Sequence, residues 1–299
     1  MHMYRCCNVK RFLIMLLCDL VAVGLLMLLF RCSPFRTEGV SDPGENGIPL
    51  PVLMYHSVFS GRHSDYVVPP EVLESDLAYL SDHGYQAVLV SDLVEYVYNG
   101  KPLPEKPVMI TFDDGYYNNL EQCLPLLEKY DMCAVISVVG SYIVNQAEQD
   151  SHITAYSYLT FPEIQTLLES GRIEIGNHTY DLHSHTHRQG CGILPEESET
   201  AYRELLRSDL EQLQSLLASQ VQMRPVVFTY PYGYVCRESI PVLRSMGFLA
   251  TLTCYEEPNR ITRDPDCLFG IGRYNPPPRQ QKKTTAPTAF PPMPICKKH

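Results

Sequence analysis

The chain has 299 residues, 45% hydrophobic and 19% charged, a balance that excludes a wholly disordered polymer and leaves room for one large core, such as an α/β barrel of about 250 residues. Its 17 glycines follow no triplet period, which excludes collagen. The net charge of −10 is uneven: residues 1–36 carry five Lys/Arg against Asp19, the stretch 276–299 carries five without an acid, and the residues between them hold −19. So acidic a body argues against nucleic acid as a partner, because neutralising phosphate needs a basic face.

Residues 12–30 read FLIMLLCDLVAVGLLMLLF. At a helical rise of about 1.5 Å per residue this run nearly spans a hydrocarbon core of roughly 30 Å, so a transmembrane anchor is expected there. Arg5, Lys10 and Arg11 precede it and Arg31 and Arg36 follow, a slight excess that puts residues 1–11 in the cytoplasm and the body outside the cell membrane. The run exceeds the usual apolar stretch of a signal peptide and no small-x-small site follows Phe30, which favours an uncleaved anchor over a cleaved leader. Asp19 opposes insertion by about 2.5 to 3.5 kcal/mol. Residues 31–49, rich in Pro, Gly and polar side chains, form a flexible linker, and residues 276–299, with PPP, PP and Lys pairs, a disordered tail. Eleven cysteines include no CxxC pair, so zinc-finger spacing is absent and no connectivity follows.

Between linker and tail, apolar runs recur at 51–56, 86–90, 108–112, 134–139, 172–176, 225–230 and 248–253. Helical patterns lie between them at 70–83, 116–130, 161–170, 196–219 and 236–246. The clearest is 196–219, where Tyr202, Leu206, Leu210, Leu213 and Leu217 fall on one face. Thr160, Pro162 and Glu163 make a helix start at 161. Strands alternating with helices imply a parallel sheet, and seven units imply a closed or nearly closed barrel over residues 50–275. Such barrels build their sites at the carboxyl ends of the strands, which makes His56, Asp113, Asp114, His178 and Tyr232 the residues to watch.

Asp113 and Asp114 follow an apolar strand and precede Gly115, so both carboxylates emerge at the lip of the core, or the trio is an ordinary turn. The segment GNHTYDLHSHTH holds His178, His183, His185 and His187. His178 and His183 are five apart, about 140° on a helix and on opposite faces of a strand. They converge on one ion only if the chain leaves regular structure after His178. Two imidazoles and one carboxylate suit zinc or another divalent ion, and also non-haem iron; the alternative is a solvated His-rich loop.

ITFDDGY at 110–116 together with EIGNHTYDLH at 174–183 resembles the polysaccharide deacetylases, carbohydrate esterase family 4. The resemblance implies a (β/α)7-type distorted barrel, here preceded by one transmembrane helix, and one divalent metal ion, with zinc the first choice. It implies Asp113 as catalytic base and Asp114, His178 and His183 as metal ligands, with His185 or His187 as substitutes for His183. The five-residue step between the histidines, and MYHSV at 54–58, resemble the branch that acts on poly-N-acetylglucosamine. FTYPYG at 228–233 resembles the family segment whose Tyr main-chain N–H holds the oxyanion, which gives Tyr232 that role. The family Arg that steadies the base has no counterpart there, since Thr229 stands near its place, and the segment 252–277 after the seventh apolar run holds no His to act as general acid; His56 is the substitute.

These residues point to removal of N-acetyl groups from N-acetylglucosamine units of an extracellular or cell-wall glycan, with Tyr180, Tyr230 and Tyr232 available to the sugar. The absent Arg and His leave open a glycan-binding protein that has lost turnover. An iron oxygenase is remote in a chain that alternates strand and helix.

Overall fold

A computed structural model describes residues 47–61, 64, 66–149 and 152–276. The expected anchor at 12–30, nearly all of the linker and the tail from 277 lie outside the described residues, and among the described residues no helix is long and apolar enough to cross a membrane.

In chain order the strands are β1 (Ile48–Leu50), β2 (Val52–Tyr55), β3 (Ser57–Val58), β4 (Val67–Val68), β5 (Gln86–Ala87), β6 (Pro107–Phe112), β7 (Ala134–Val138), β8 (Ile173–Asn177), β9 (Val227–Thr229), β10 (Ala250–Leu252), β11 (Asn259–Ile261) and β12 (Phe269–Ile271). The α-helices are α1 (Pro70–Asp82), α2 (Val90–Asn99), α3 (Leu124–Lys129), α4 (Gly140–Ala147), α5 (Phe161–Glu169), α6 (Glu199–Val221) and α7 (Ser239–Ser245). The main sheet runs β12-β10-β9-β8-β7-β6-β2, with β5 also on β6. All its pairs are parallel. Its two ends meet at a parallel bridge between Leu53 and Tyr274, where the N–H groups of Met54 and Tyr274 donate to Tyr274 O and Val52 O, each at 2.9 Å. The strands follow one another round the sheet in chain order, so every carboxyl end opens on one rim.

β6 and β7 are buried along their whole length, as parallel strands covered on both faces must be. Helix α6 buries the stripe Tyr202, Leu206, Leu210, Leu213 and Leu217. It is capped at Ser198, whose Oγ accepts the N–H of Ala201 at 3.2 Å, so it begins three residues later than the pattern over 196–219 implies. At the start of α5, Glu163 reaches back to accept the N–H of Thr160 at 2.7 Å.

The structure corrects several expectations. Of the run 86–90 only Gln86 and Ala87 are strand, and helix α2 already begins at Val90. The seventh wall strand is instead β12, near the end of the domain. The helix expected over 116–130 is a π-helical turn, Asn119–Cys123, continued by α3. Residues 48 and 49, expected in the linker, pair antiparallel with β11.

Candidate metal centre and its neighbours

The N–H of Asp113 donates to Tyr55 O at 2.9 Å, which holds the end of β6 against β2. The next two residues are both left-handed, Asp114 at φ 69° and Gly115 at φ 72°. A Cβ on Gly115 would lie 2.9 Å from Val138 Cγ1, so only glycine lets the chain turn this close to β7. Left-handed backbone at a non-glycine residue is strained, and such strain gathers at functional sites. The turn sends the adjacent carboxylates to different partners.

Asp114 meets the histidines. Its Oδ1 lies 3.2 Å from His183 Nε2 and 3.7 Å from His178 Nε2, and the two Nε2 atoms are 3.2 Å apart. The chain leaves strand geometry at His178: Asn177 ends β8, and Thr179 is left-handed at φ 73°. Asn177 Oδ1 accepts the N–H of Thr179 at 2.9 Å, and Asp209 on α6 accepts those of Tyr180 and Asp181 at 2.8 Å each. The loop so pinned carries His183 back over His178.

The donor set fits a cation. His178 Nδ1 lies 2.8 Å from Thr229 O, and a carbonyl only accepts, so Nδ1 carries the proton. Burial, with His183 beside it, pulls the His178 pKa down to about 4, so the ring is neutral and its Nε2 is a bare lone pair. That lone pair faces a second imidazole nitrogen and a carboxylate, the arrangement a divalent ion would satisfy. Among the described residues Asp114, His178 and His183 form the one group able to hold a metal, with ligand atoms all within 4.8 Å of one another.

Asp113 stands outside that group. Its oxygens accept two hydrogen bonds from Arg273, Nη1 to Oδ1 at 2.6 Å and Nη2 to Oδ2 at 2.7 Å. Burial by itself would raise the Asp113 pKa, but the Arg273 charge and hydrogen bonds outweigh it and hold the carboxyl well below the usual range. Arg273 is fully buried. Its remaining N–H groups reach Thr253 O at 2.7 Å, Thr111 Oγ1 at 3.1 Å and Cys254 Sγ at 3.8 Å, so the guanidinium is fixed from every side. Sequence reasoning missed this residue. It lies two positions beyond β12 in IGRYNPP, and nothing local marks it. Thr229, at the place where the Arg was sought, serves His178 through its carbonyl.

A second basic group also approaches Asp113: His56 Nε2 is 4.0 Å from Oδ2. Its Nδ1 is buried without a partner, and its ring packs edge-on against Tyr66 at 5.0 Å.

Tyrosines surround the group. Tyr232, left-handed at φ 56°, tops the turn Pro231–Gly233, whose own hydrogen bonds close at the N–H groups of Gly233 and Tyr234. Its ring lies 4.8 Å from that of His183 and 4.3 Å from that of His185. Tyr142, Tyr158 and Tyr116, none of them singled out from the sequence, form a contiguous cluster. His185 and His187 are exposed and belong to no ligand group. Tyr230 is corrected outright: it is 1% exposed, and its hydroxyl faces Ser239 Oγ at 2.6 Å in the core beside Phe228 and Phe248. Tyr180 packs against the hydrophobic core and over Gly140 rather than over the histidines.

This geometry agrees with the comparisons. The family model for polysaccharide deacetylase matches residues 100–251, and the chain belongs to that family. Over 200 residues it is 29% identical to the poly-beta-1,6-N-acetyl-D-glucosamine N-deacetylase of Escherichia coli (strain K12), an alignment that takes in 60% of this chain and spans only 30% of the length of that relative. Among solved structures, IcaB from Ammonifex degensii superposes with a TM-score of 0.65 at 26% identity, over 78% of this chain and 94% of that one. A de-N-acetylase from Aggregatibacter actinomycetemcomitans shares the fold, with a TM-score of 0.66 at 24% identity over 76% and 94% of the two chains.

Proposed function

We propose that this chain is a metal-dependent hydrolase that removes N-acetyl groups from N-acetylglucosamine units of an extracellular or cell-wall polysaccharide. The observation that carries this reading is the division of labour in one turn: Asp114 faces two imidazoles, while Asp113 stands free of them, ionised and clamped by Arg273. The names of the relatives support the choice of polymer.

A divalent ion held by Asp114, His178 and His183, with zinc the first choice, would supply Lewis acidity to the amide carbonyl and to an attacking water. Asp113 takes the proton of that water as general base, in the geometry Arg273 sets. His56, whose Nε2 lies 4.0 Å from Asp113 Oδ2, is the candidate to protonate the departing amine. The main-chain N–H of Tyr232 offers a donor to the carbonyl oxygen as it gains charge. Tyr232 and Tyr66, 39% and 60% exposed, present ring faces on which a sugar stacks. In this reading the apolar run at 12–30 supports a single-pass tether with the barrel outside the cell membrane.

Acetate release from N-acetylglucosamine oligomers by the full chain tests it. We expect release that a chelator abolishes and a divalent ion restores, and a loss of about 10²- to 10⁴-fold in Asp113→Asn with bound metal unchanged. Equal release by wild type and D113N contradicts it, and saturable polymer binding without acetate under any divalent ion would favour a glycan-binding protein.

A further inference from the structure

The two histidines are held in different ways. His178 is locked into the barrel wall by a backbone carbonyl and is 2% exposed. His183 lies five residues on, in a loop without regular structure, and its Nδ1 faces the hydroxyl of Tyr142 at 3.1 Å. Tyr142 belongs to the first turn of α4, and its ring leans on Tyr158 at 4.4 Å. Tyr158 stacks on Tyr116 at 5.0 Å, and its N–H is accepted by Gln146 Oε1, also on α4, at 3.1 Å. The same helix grips the histidine loop through its backbone: Gly140 N–H donates to Thr179 O at 3.0 Å and Ser141 N–H to Tyr180 O at 2.7 Å.

We infer that Tyr142 is a positioning residue for the metal centre, its hydroxyl oxygen accepting the Nδ1–H of His183 and so setting the tautomer and ring plane that present Nε2 to the ion. The inference rests on the metal-binding reading proposed above. A ligating imidazole needs a fixed acceptor for its other N–H, and loss of that acceptor costs roughly 10- to 100-fold in metal affinity. Tyr232 also approaches His183 Nδ1, at 3.4 Å. It is the more distant of the two, it is 39% exposed, and its hydroxyl lies just as near the His183 carbonyl, at 3.5 Å. Tyr142 is wedged by its aromatic neighbours and has no such freedom.

Cobalt(II) alone, titrated into the metal-free full chain and followed by its visible absorption in competition with a chelator, separates the possibilities. Tyr142→Phe keeps the ring on Tyr158 and removes only the acceptor. We expect it to weaken cobalt binding at least about tenfold, with an unchanged metal-free melting curve and a shifted cobalt spectrum, while Tyr232→Phe binds cobalt like wild type. Wild-type affinity in Y142F overturns the inference, as does a loss in Y232F that matches or exceeds that in Y142F. Failure of the metal-binding reading itself looks different, because wild type would then bind no cobalt or His183→Ala would bind it equally well. If Y142F does not fold, the nitrogen-15 spectrum of the zinc-loaded wild type decides: a His183 Nδ1–H slow to exchange with solvent supports the bond, and one exchanging as fast as that of His187 overturns it.

Discussion

Asp113 and Asp114 share one turn and have opposite surroundings, and Arg273 makes the difference. A buried carboxylate stripped of its partner is costly, so Arg273→Met should destabilise the fold by about 3 to 5 kcal/mol in urea unfolding. The burial that favours protonation of Asp113 would then meet only the weaker opposition of His178 and His56. Its pKa should rise above the ordinary carboxylate value, and the acid limb of the pH–rate profile should move to higher pH. An unmoved limb would separate Arg273 from the base. His178 gives a second pH signature. With a folded pKa of about 4 against the ordinary imidazole value of 6.5, the unfolded chain binds its proton first as pH falls. The stability of the metal-free chain is therefore fully present above pH 6.5 and is lost progressively down to about pH 4, by at most about 3 kcal/mol from this group. Denaturant midpoints at both pH values, for wild type and His178→Asn, measure it, and H178N should show the flatter curve. Asp113, Asp114 and the histidines were legible because each stands in a short distinctive string beside a strand end. Arg273 was not, since its meaning comes from a contact 160 residues away. Tyr230 misled for a related reason: a Tyr next to a functional turn reads as reachable, whereas strand alternation points it into the core.

At the scale of elements, the strings of β-branched and apolar residues in β6, β7 and β8 announced themselves, and so did the long stripe of α6. The misreadings fall where local pattern is thin. β12 is only Phe269, Gly270 and Ile271, too short and too glycine-broken to register as a wall strand. Helix α4 has eight residues, begins with a glycine, and abuts the apolar run of β7, which hides its period. Yet α4 is the element that docks on the histidine loop. A Cβ on Gly140 would collide with Tyr180 Cδ2 and lie 3.1 Å from Tyr180 Cα. Gly140→Ala should therefore push helix and loop apart, costing about 1 to 3 kcal/mol and weakening metal binding along with stability. Calorimetric titration with zinc beside a melting curve checks both, and an alanine variant matching wild type in each would show that this contact does not position the loop.

Across the barrel as a whole, the singly wound order of strands brings four distant stretches to one rim: the Asp turn after β6, the histidine loop after β8, the Pro231–Gly233 turn after β9, and Arg273 after β12. The bridge from Tyr274 to Leu53 closes the wall right beside Arg273, so closure of the barrel and clamping of Asp113 depend on the same few residues. The measurement that reaches the centre of this account most directly is anomalous diffraction from crystals of the chain loaded with zinc. One peak is expected, about 2.0 to 2.2 Å from Asp114 and from both imidazole Nε2 atoms, with Asp113 still paired to Arg273. A peak on Asp113, or none within reach of His178 and His183, would contradict it.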